Sequence, residues 1–133
     1  MTVAGTGQRT VLVIEDDPWT RTITTALLAG EGFAVVEAKN GEEGLRQADL
    51  HTPDVVLLDL ALPTKSGLEV LRELKANPRT ADVPVIVCSA YGTLMSEHDA
   101  QQAAGVIQKP FDYDDLVSQV ERASGRLLPA LTR

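Results

Sequence analysis

Cysteine occurs once, at Cys88, so no internal disulfide can brace this chain. Aromatic residues make up only 4% of the 133, with Trp19 the sole tryptophan, too few for a base-stacking platform. Basic residues are also scarce: 12 Lys and Arg stand against 19 Asp and Glu, a formal charge of −7. That balance argues against direct nucleic-acid binding. No apolar run approaches the roughly 18 residues of a membrane span. Residues 1–9 have neither the basic nor the apolar region of a secretory signal. The expectation is a cytoplasmic chain with no membrane contact. Gly5-Thr6-Gly7 is too short to be a dinucleotide fingerprint, and no Walker loop follows, so a nucleotide-cofactor module is disfavoured.

What is present is the composition of an ordinary globular chain, 44% hydrophobic and 23% charged, long enough for one core. Apolar runs at 11–15, 33–36, 55–58, 83–88 and 106–107 read as strands. Several are continuously apolar, as in parallel strands covered on both faces. Helix patterns separate them. Asp17 and Pro18 open the first, whose Ile23, Leu27 and Leu28 share an apolar face before Gly30 and Gly32. Asn40 with Glu43, Ser66 with Glu69 and Asp112 with Asp115 have capping-box spacing for the second, third and fifth. A fourth helix is expected over 93–104, and the fifth carries Leu116, Val120, Ala123 and Leu127 on one face. The order is β-α five times, giving a doubly wound α/β domain over 10–125 with tails at 1–9 and 126–133.

In open parallel sheets, ligands bind outside the C-terminal strand ends. That rule singles out Glu15, Asp16, Asp59, Ser89 and Lys109, each closing or following an apolar run. Three carboxylates gathered from two strands repel one another unless a cation intervenes. A hard divalent ion such as Mg²⁺ accepts such oxygen donors while keeping water. Asp17 serves mainly as helix cap, and Lys109 can pair with Asp59 and with added phosphoryl oxygens. The isomer of the Lys109–Pro110 bond is left open. His51 and His98 lack neighbouring ligands for a zinc site, and Cys88 reads as a small core side chain.

The ordered set Val11-Leu12-Val13-Ile14-Glu15-Asp16-Asp17, Asp54 to Pro63, Ser66-Gly67, Ser89-Ala90 and Lys109-Pro110-Phe111 resembles the receiver domains of bacterial two-component response regulators. The resemblance implies a five-stranded parallel sheet of flavodoxin-like order. It implies that Asp59 accepts a phosphoryl group from a histidine kinase or histidine phosphotransfer protein. Glu15 and Asp16, Asp59 and the backbone carbonyl of Ala61 would then hold Mg²⁺, with Glu15 acting directly or through water. Ser89 would carry the switch hydroxyl and Lys109 the family lysine. The implied chemistry is that of a phosphoacceptor, with self-phosphorylation and self-dephosphorylation, rather than of a turnover enzyme.

The chain also departs from that pattern. Glu15 replaces the commoner aspartate, Ala61 stands where methionine is frequent, and the Ser89–Lys109 segment is about two residues short. Val106 stands where an aromatic switch residue is usual and cannot reproduce its swing. Tyr91 is the ring available near the site instead, so Val106 and Tyr91 are the candidate switch or partner residues. These departures fall on the usual dimer surface, so a monomer or weak dimer is expected. They also keep open an alternative, a receiver fold that binds protein partners with little regulated phosphorylation. A Mg²⁺-dependent phosphatase would need a substrate pocket and general acid that the sequence does not display. The downstream partner or output domain is not legible.

Overall fold

Each of the five apolar runs is rich in branched side chains that fit a pleated, doubly covered surface. In the computed structural model, which describes residues 8–90 and 95–125, they form β1 Thr10–Ile14, β2 Ala34–Ala38, β3 Val55–Asp59, β4 Val85–Ser89 and β5 Gly105–Gln108. The sheet is wholly parallel, in the order β2-β1-β3-β4-β5. Strand parity splits its core in two. Leu12, Ile14, Val56, Leu58, Val85 and Val87 face one layer, while Val11, Val13, Val55, Leu57, Ile86, Cys88 and Ile107 face the other.

Among the described residues five helices cover the faces: α1 Pro18–Gly30, α2 Gly41–His51, α3 Gly67–Ala76, α4 Glu97–Gln102 and α5 Tyr113–Ala123. Val70, Leu71 and Leu74 of α3 join the first layer, and Leu28 of α1 with Leu116 and Val120 of α5 join the second. Leu28, Leu116 and Val120 are fully buried, so this packing fixes both helices against the sheet.

The expected strands are displaced by a residue or two at several ends. β4 begins after Pro84, whose carbonyl accepts from Val56 N at 2.9 Å but which has no N–H for the ladder. β2 begins after Phe33, which is buried beneath the sheet edge. Capping also differs in detail. Ser66 and Glu69 form a complete capping box, whereas Glu43 reaches past Asn40 to the amide of Lys39, at 2.8 Å. Asp112 caps α5 through the amide of Asp114, and the carboxylate of Asp115 turns to Gln119 rather than back to the cap. Being one methylene shorter than glutamate, Asp115 favours the i+4 partner on its own helix.

The α1 face is corrected as well. Thr24 and Leu28 point into the core, while Ile23 is 40% exposed and Trp19 is 72% exposed. Within the expected 93–104 helix, only Glu97–Gln102 is helical among the described residues, with Ser96 as its cap. Asp99 of α4 is buried and takes a bidentate pair of hydrogen bonds from Arg72 of α3 at 3.0 and 2.7 Å. α5 ends at Ala123, two residues before Gly125 takes a left-handed φ of 78°, and Leu127 lies outside the described residues. Among the described residues no helix is long and apolar enough to cross a membrane.

Candidate phosphoacceptor and metal site

Register brings the candidate residues together. Ile14 stands beside Leu58, so the next residues, Glu15 and Asp59, emerge at adjacent strand ends. Asp59 pairs with Cys88, which puts Ser89 one step further out, and Ser89 pairs with Gln108, which puts Lys109 just beyond β5. Glu15, Asp59 and Lys109 continue the parity of Val13, Leu57 and Ile107 and so fall on the same face. The Lys109–Pro110 peptide bond is cis.

Carboxylate oxygens of Glu15, Asp16 and Asp59 all lie within 4.8 Å of one another. Glu15 and Asp59 are buried, at 5% and 4% exposure, while Asp16 is exposed. The Lys109 ammonium donates to Glu15 Oε1 at 2.8 Å and lies 3.2 Å from Asp59 Oδ2. The amide of Lys109 donates to the Ser89 carbonyl at 2.9 Å, tying the lysine to the end of β4. Lys109 therefore bridges two acids, where the sequence pointed to Asp59 alone.

Local backbone fixes the Glu15 and Asp59 carboxylates. Glu15 N donates to the Ala38 carbonyl at 3.0 Å, and Glu15 Oε2 accepts from Asp17 N at 3.1 Å. Asp17 caps α1 through the amide and hydroxyl of Thr20, at 2.8 and 2.7 Å, which leaves the neighbouring acids to the site. Asp59 Oδ1 accepts from Ala61 N at 3.0 Å. Behind this loop, Gly67 N donates to the Leu60 carbonyl at 3.1 Å. A Cβ on Gly67 would lie 2.5 Å from both Asp59 O and Leu60 Cα, so only glycine permits the start of α3 to press against the Asp59 turn.

Electrostatics follow the burial. Desolvation, helped by the charge of Asp59, raises the Glu15 pKa above its ordinary 4.5 despite the hydrogen bonds from Lys109 and Asp17. Burial works against the Lys109 charge, but its bond to Glu15 and the attraction of Asp59 outweigh it and raise that pKa. Cys88, adjacent on β4, has its thiol pKa raised by burial and so remains an inert core side chain. Three carboxylates against one ammonium leave an excess of negative charge built wholly from hard oxygen donors. This donor set suits Mg²⁺.

Val106 is half exposed on the edge strand β5. Tyr91 lies outside the described residues. Two features escaped the sequence reading. Arg21 of α1 donates to the carbonyls of Glu15 and Asp16, at 2.8 and 3.4 Å. An apolar groove of about 320 Å³ also opens between α1 and the β5–α5 turn, lined by Trp19, Ile23, Leu27, Pro110, Phe111 and Tyr113 among others. The sequence signals for these were a basic residue, Arg21, near the start of α1 and the apolar Trp19, Ile23 and Leu27 along the same helix.

Residues 11–121 match the family model of the response regulator receiver domain. The phosphate regulon transcriptional regulatory protein PhoB of Escherichia coli is 32% identical over 126 residues, covering 91% of this chain and 54% of that protein. The DNA-binding transcriptional regulator NtrC of Escherichia coli is 37% identical over 115 residues, covering 85% of this chain and 24% of that one. This chain thus spans about half the length of PhoB and about a quarter of NtrC. The receiver domain of the sensor histidine kinase PA1611 of Pseudomonas aeruginosa was solved with a magnesium ion coordinated in its active site cleft. It superposes with a TM-score of 0.80 at 26% identity, covering 90% of this chain and 99% of that one.

Proposed function

The chain belongs to the response regulator receiver domain family, and from that premise we propose that Asp59 accepts a phosphoryl group from a histidine kinase or histidine phosphotransfer protein. The observation that carries this reading is the convergence of Glu15, Asp16, Asp59 and Lys109 at one corner of the sheet. A carboxylate oxygen of Asp59 attacks phosphorus as the bond to the donor's imidazole nitrogen breaks. The electron pair leaves on that nitrogen, and an aspartyl phosphate remains on the protein. Glu15, Asp16, Asp59 and the Ala61 carbonyl would hold Mg²⁺, which when bound would supply charge neutralisation for the transferring oxygens. Lys109 remains charged because its pKa is raised, and its ammonium exchanges a carboxylate partner for a phosphoryl oxygen.

The new group carries more charge and more acceptor oxygens than the carboxylate it replaces. Ser89, buried at the end of β4, would donate its hydroxyl to it. Movement there shifts the population of two packings and so alters a partner surface. The groove beside α1 gives the phosphohistidine-bearing partner an apolar surface next to Lys109. Its exposed Trp19 and Ile23 are residue types suited to such an anchor.

The test is incubation with acetyl phosphate, with and without Mg²⁺, followed by intact mass. One acid- and hydroxylamine-sensitive phosphoryl adduct that requires Mg²⁺ and is absent from Asp59→Asn supports the reading. An adduct that persists in Asp59→Asn contradicts it.

A further inference from the structure

In the acidic loop after β1, Glu15 is buried and held by Lys109 and by the Ala38 carbonyl, but among the described residues no such side-chain partner holds the Asp16 carboxylate. Asp16 is exposed, so packing does not set where its carboxylate points. Its carbonyl and that of Glu15 both accept from one nitrogen, Arg21 Nη1, at 3.4 and 2.8 Å. Two successive carbonyls turned toward one guanidinium constrain both peptide planes, and with them the directions in which the two acids leave the chain. Arg21 is itself held. Its backbone N–H donates to the Asp17 carbonyl at 2.9 Å, and its side chain is only 19% exposed. Arg21 Nε lies 3.7 Å from Glu37 Oε1 on β2, and Glu37 Oε2 accepts from the hydroxyl of Thr25 at 2.6 Å.

We propose that Arg21 is a positioning residue for the metal site: by clasping the Glu15 and Asp16 carbonyls it pre-orients both carboxylates for Mg²⁺, with Glu37 and Thr25 orienting Arg21 in turn. This rests on the reading of the acidic cluster as a Mg²⁺ site. The guanidinium acts from behind the loop, on carbonyls rather than carboxylates, so it leaves the acids' oxygens to the ion. Arg suits this place better than Lys because its planar fork serves the carbonyls through Nη1 while Nε faces Glu37. A Lys ammonium carries the same charge but lacks that fixed geometry.

The effect on Mg²⁺ has a definite sign. If Arg21 acted only through its charge, it would repel the cation, and removing it would tighten binding. If it positions the loop, removing it weakens binding. Loss of an outer-shell partner typically lowers metal affinity by about 10- to 100-fold, and the exposed setting of Asp16 points to the lower end.

The experiment is titration of the full chain with MgCl₂, read by calorimetry and by the fluorescence of Trp19, its sole tryptophan, which sits three residues after Asp16. Circular dichroism at the same temperature checks that each variant is folded. Arg21→Gln is expected to bind Mg²⁺ about tenfold more weakly, Arg21→Lys to recover only part of that loss, and Glu37→Gln to lose about two- to threefold. Glu37 is 43% exposed in its side chain, so its variant keeps the test available if Arg21→Gln does not fold. Unchanged or tighter binding in Arg21→Gln, or full recovery in Arg21→Lys, overturns the positioning role while the metal site stands. A wild type that binds no Mg²⁺ overturns the metal reading and the role of Arg21 with it.

Discussion

Gly67 is the position at which one added methyl group reaches furthest into the site. In Gly67→Ala the new Cβ would lie 2.5 Å from Asp59 O and Leu60 Cα and 3.1 Å from Asp59 C. All three are backbone atoms, so no side chain can swing away. Ordinary contact begins at 3.4 Å, so the start of α3 and the Asp59 turn must separate by 3.4 − 2.5 = 0.9 Å. Separation stretches the bond from Gly67 N to Leu60 O and moves the peptide that follows Asp59. Overpacking of this kind costs about 1–3 kcal/mol, and we expect a value near the middle of that range. A displacement close to 1 Å at a reacting group lowers its rate by about 10²-fold. Urea unfolding followed by circular dichroism measures the first effect, and the rate of adduct formation with acetyl phosphate measures the second. A variant within ~0.5 kcal/mol of wild type, phosphorylated at the wild-type rate, would refute the close approach as the reason for glycine here.

Three further outcomes are expected. Thr64 is β-branched yet holds a left-handed φ of 61° on the exposed turn after β3, so Thr64→Asn should gain about 0.5–1 kcal/mol in urea midpoint measurements; no gain would contradict strain at that turn. Glu15 has a raised pKa, so between 4.5 and its folded value the native chain binds more protons than the unfolded one. Its contribution to apo stability is therefore full below 4.5 and is lost as pH rises through the folded value. Because Mg²⁺ competes with that proton, the rise in melting temperature on adding MgCl₂ should be larger at pH 7.5 than at pH 5; an equal rise would remove Glu15 from the metal site. Ile23→Asp, on the exposed wall of the groove, should slow transfer from a phosphohistidine protein by about tenfold or more and leave the acetyl phosphate rate unchanged; equal effects on both donors would exclude the groove as docking surface.

Much of the corner could be read from residue order. Four of the five apolar runs end at or just before a residue of the site, and parallel topology sends those ends to one edge, which groups Glu15, Asp16, Asp59, Ser89 and Lys109. What order alone does not carry is which of the neighbours bond. Lys109 bridges Glu15 as well as Asp59 because both acids continue the same strand parity, a consequence of register rather than spacing. The inward face of α1 was misassigned because Thr24 competes with Ile23 for the core. The rotation of the helix, set by Leu28 against the sheet, chose the threonine and left Ile23 and Trp19 outside. Capping-box spacing marked the start of α3 but says nothing of the 2.5 Å approach at Gly67. The Arg72–Asp99 pair joins helices 27 residues apart, and Arg21 reaches carbonyls, which no side-chain pattern encodes.

The phosphoryl group is expected to form on Asp59, with the acids beside it bringing Mg²⁺ to the reaction. Borohydride reduction of protein treated with acetyl phosphate, followed by peptide mass mapping, reads this directly. Reduction of an aspartyl phosphate leaves homoserine at the modified position. Homoserine is expected at residue 59 alone, in Mg²⁺ and not in chelator. Homoserine at another acid, equal yield in chelator, or none from folded protein in Mg²⁺ would contradict it.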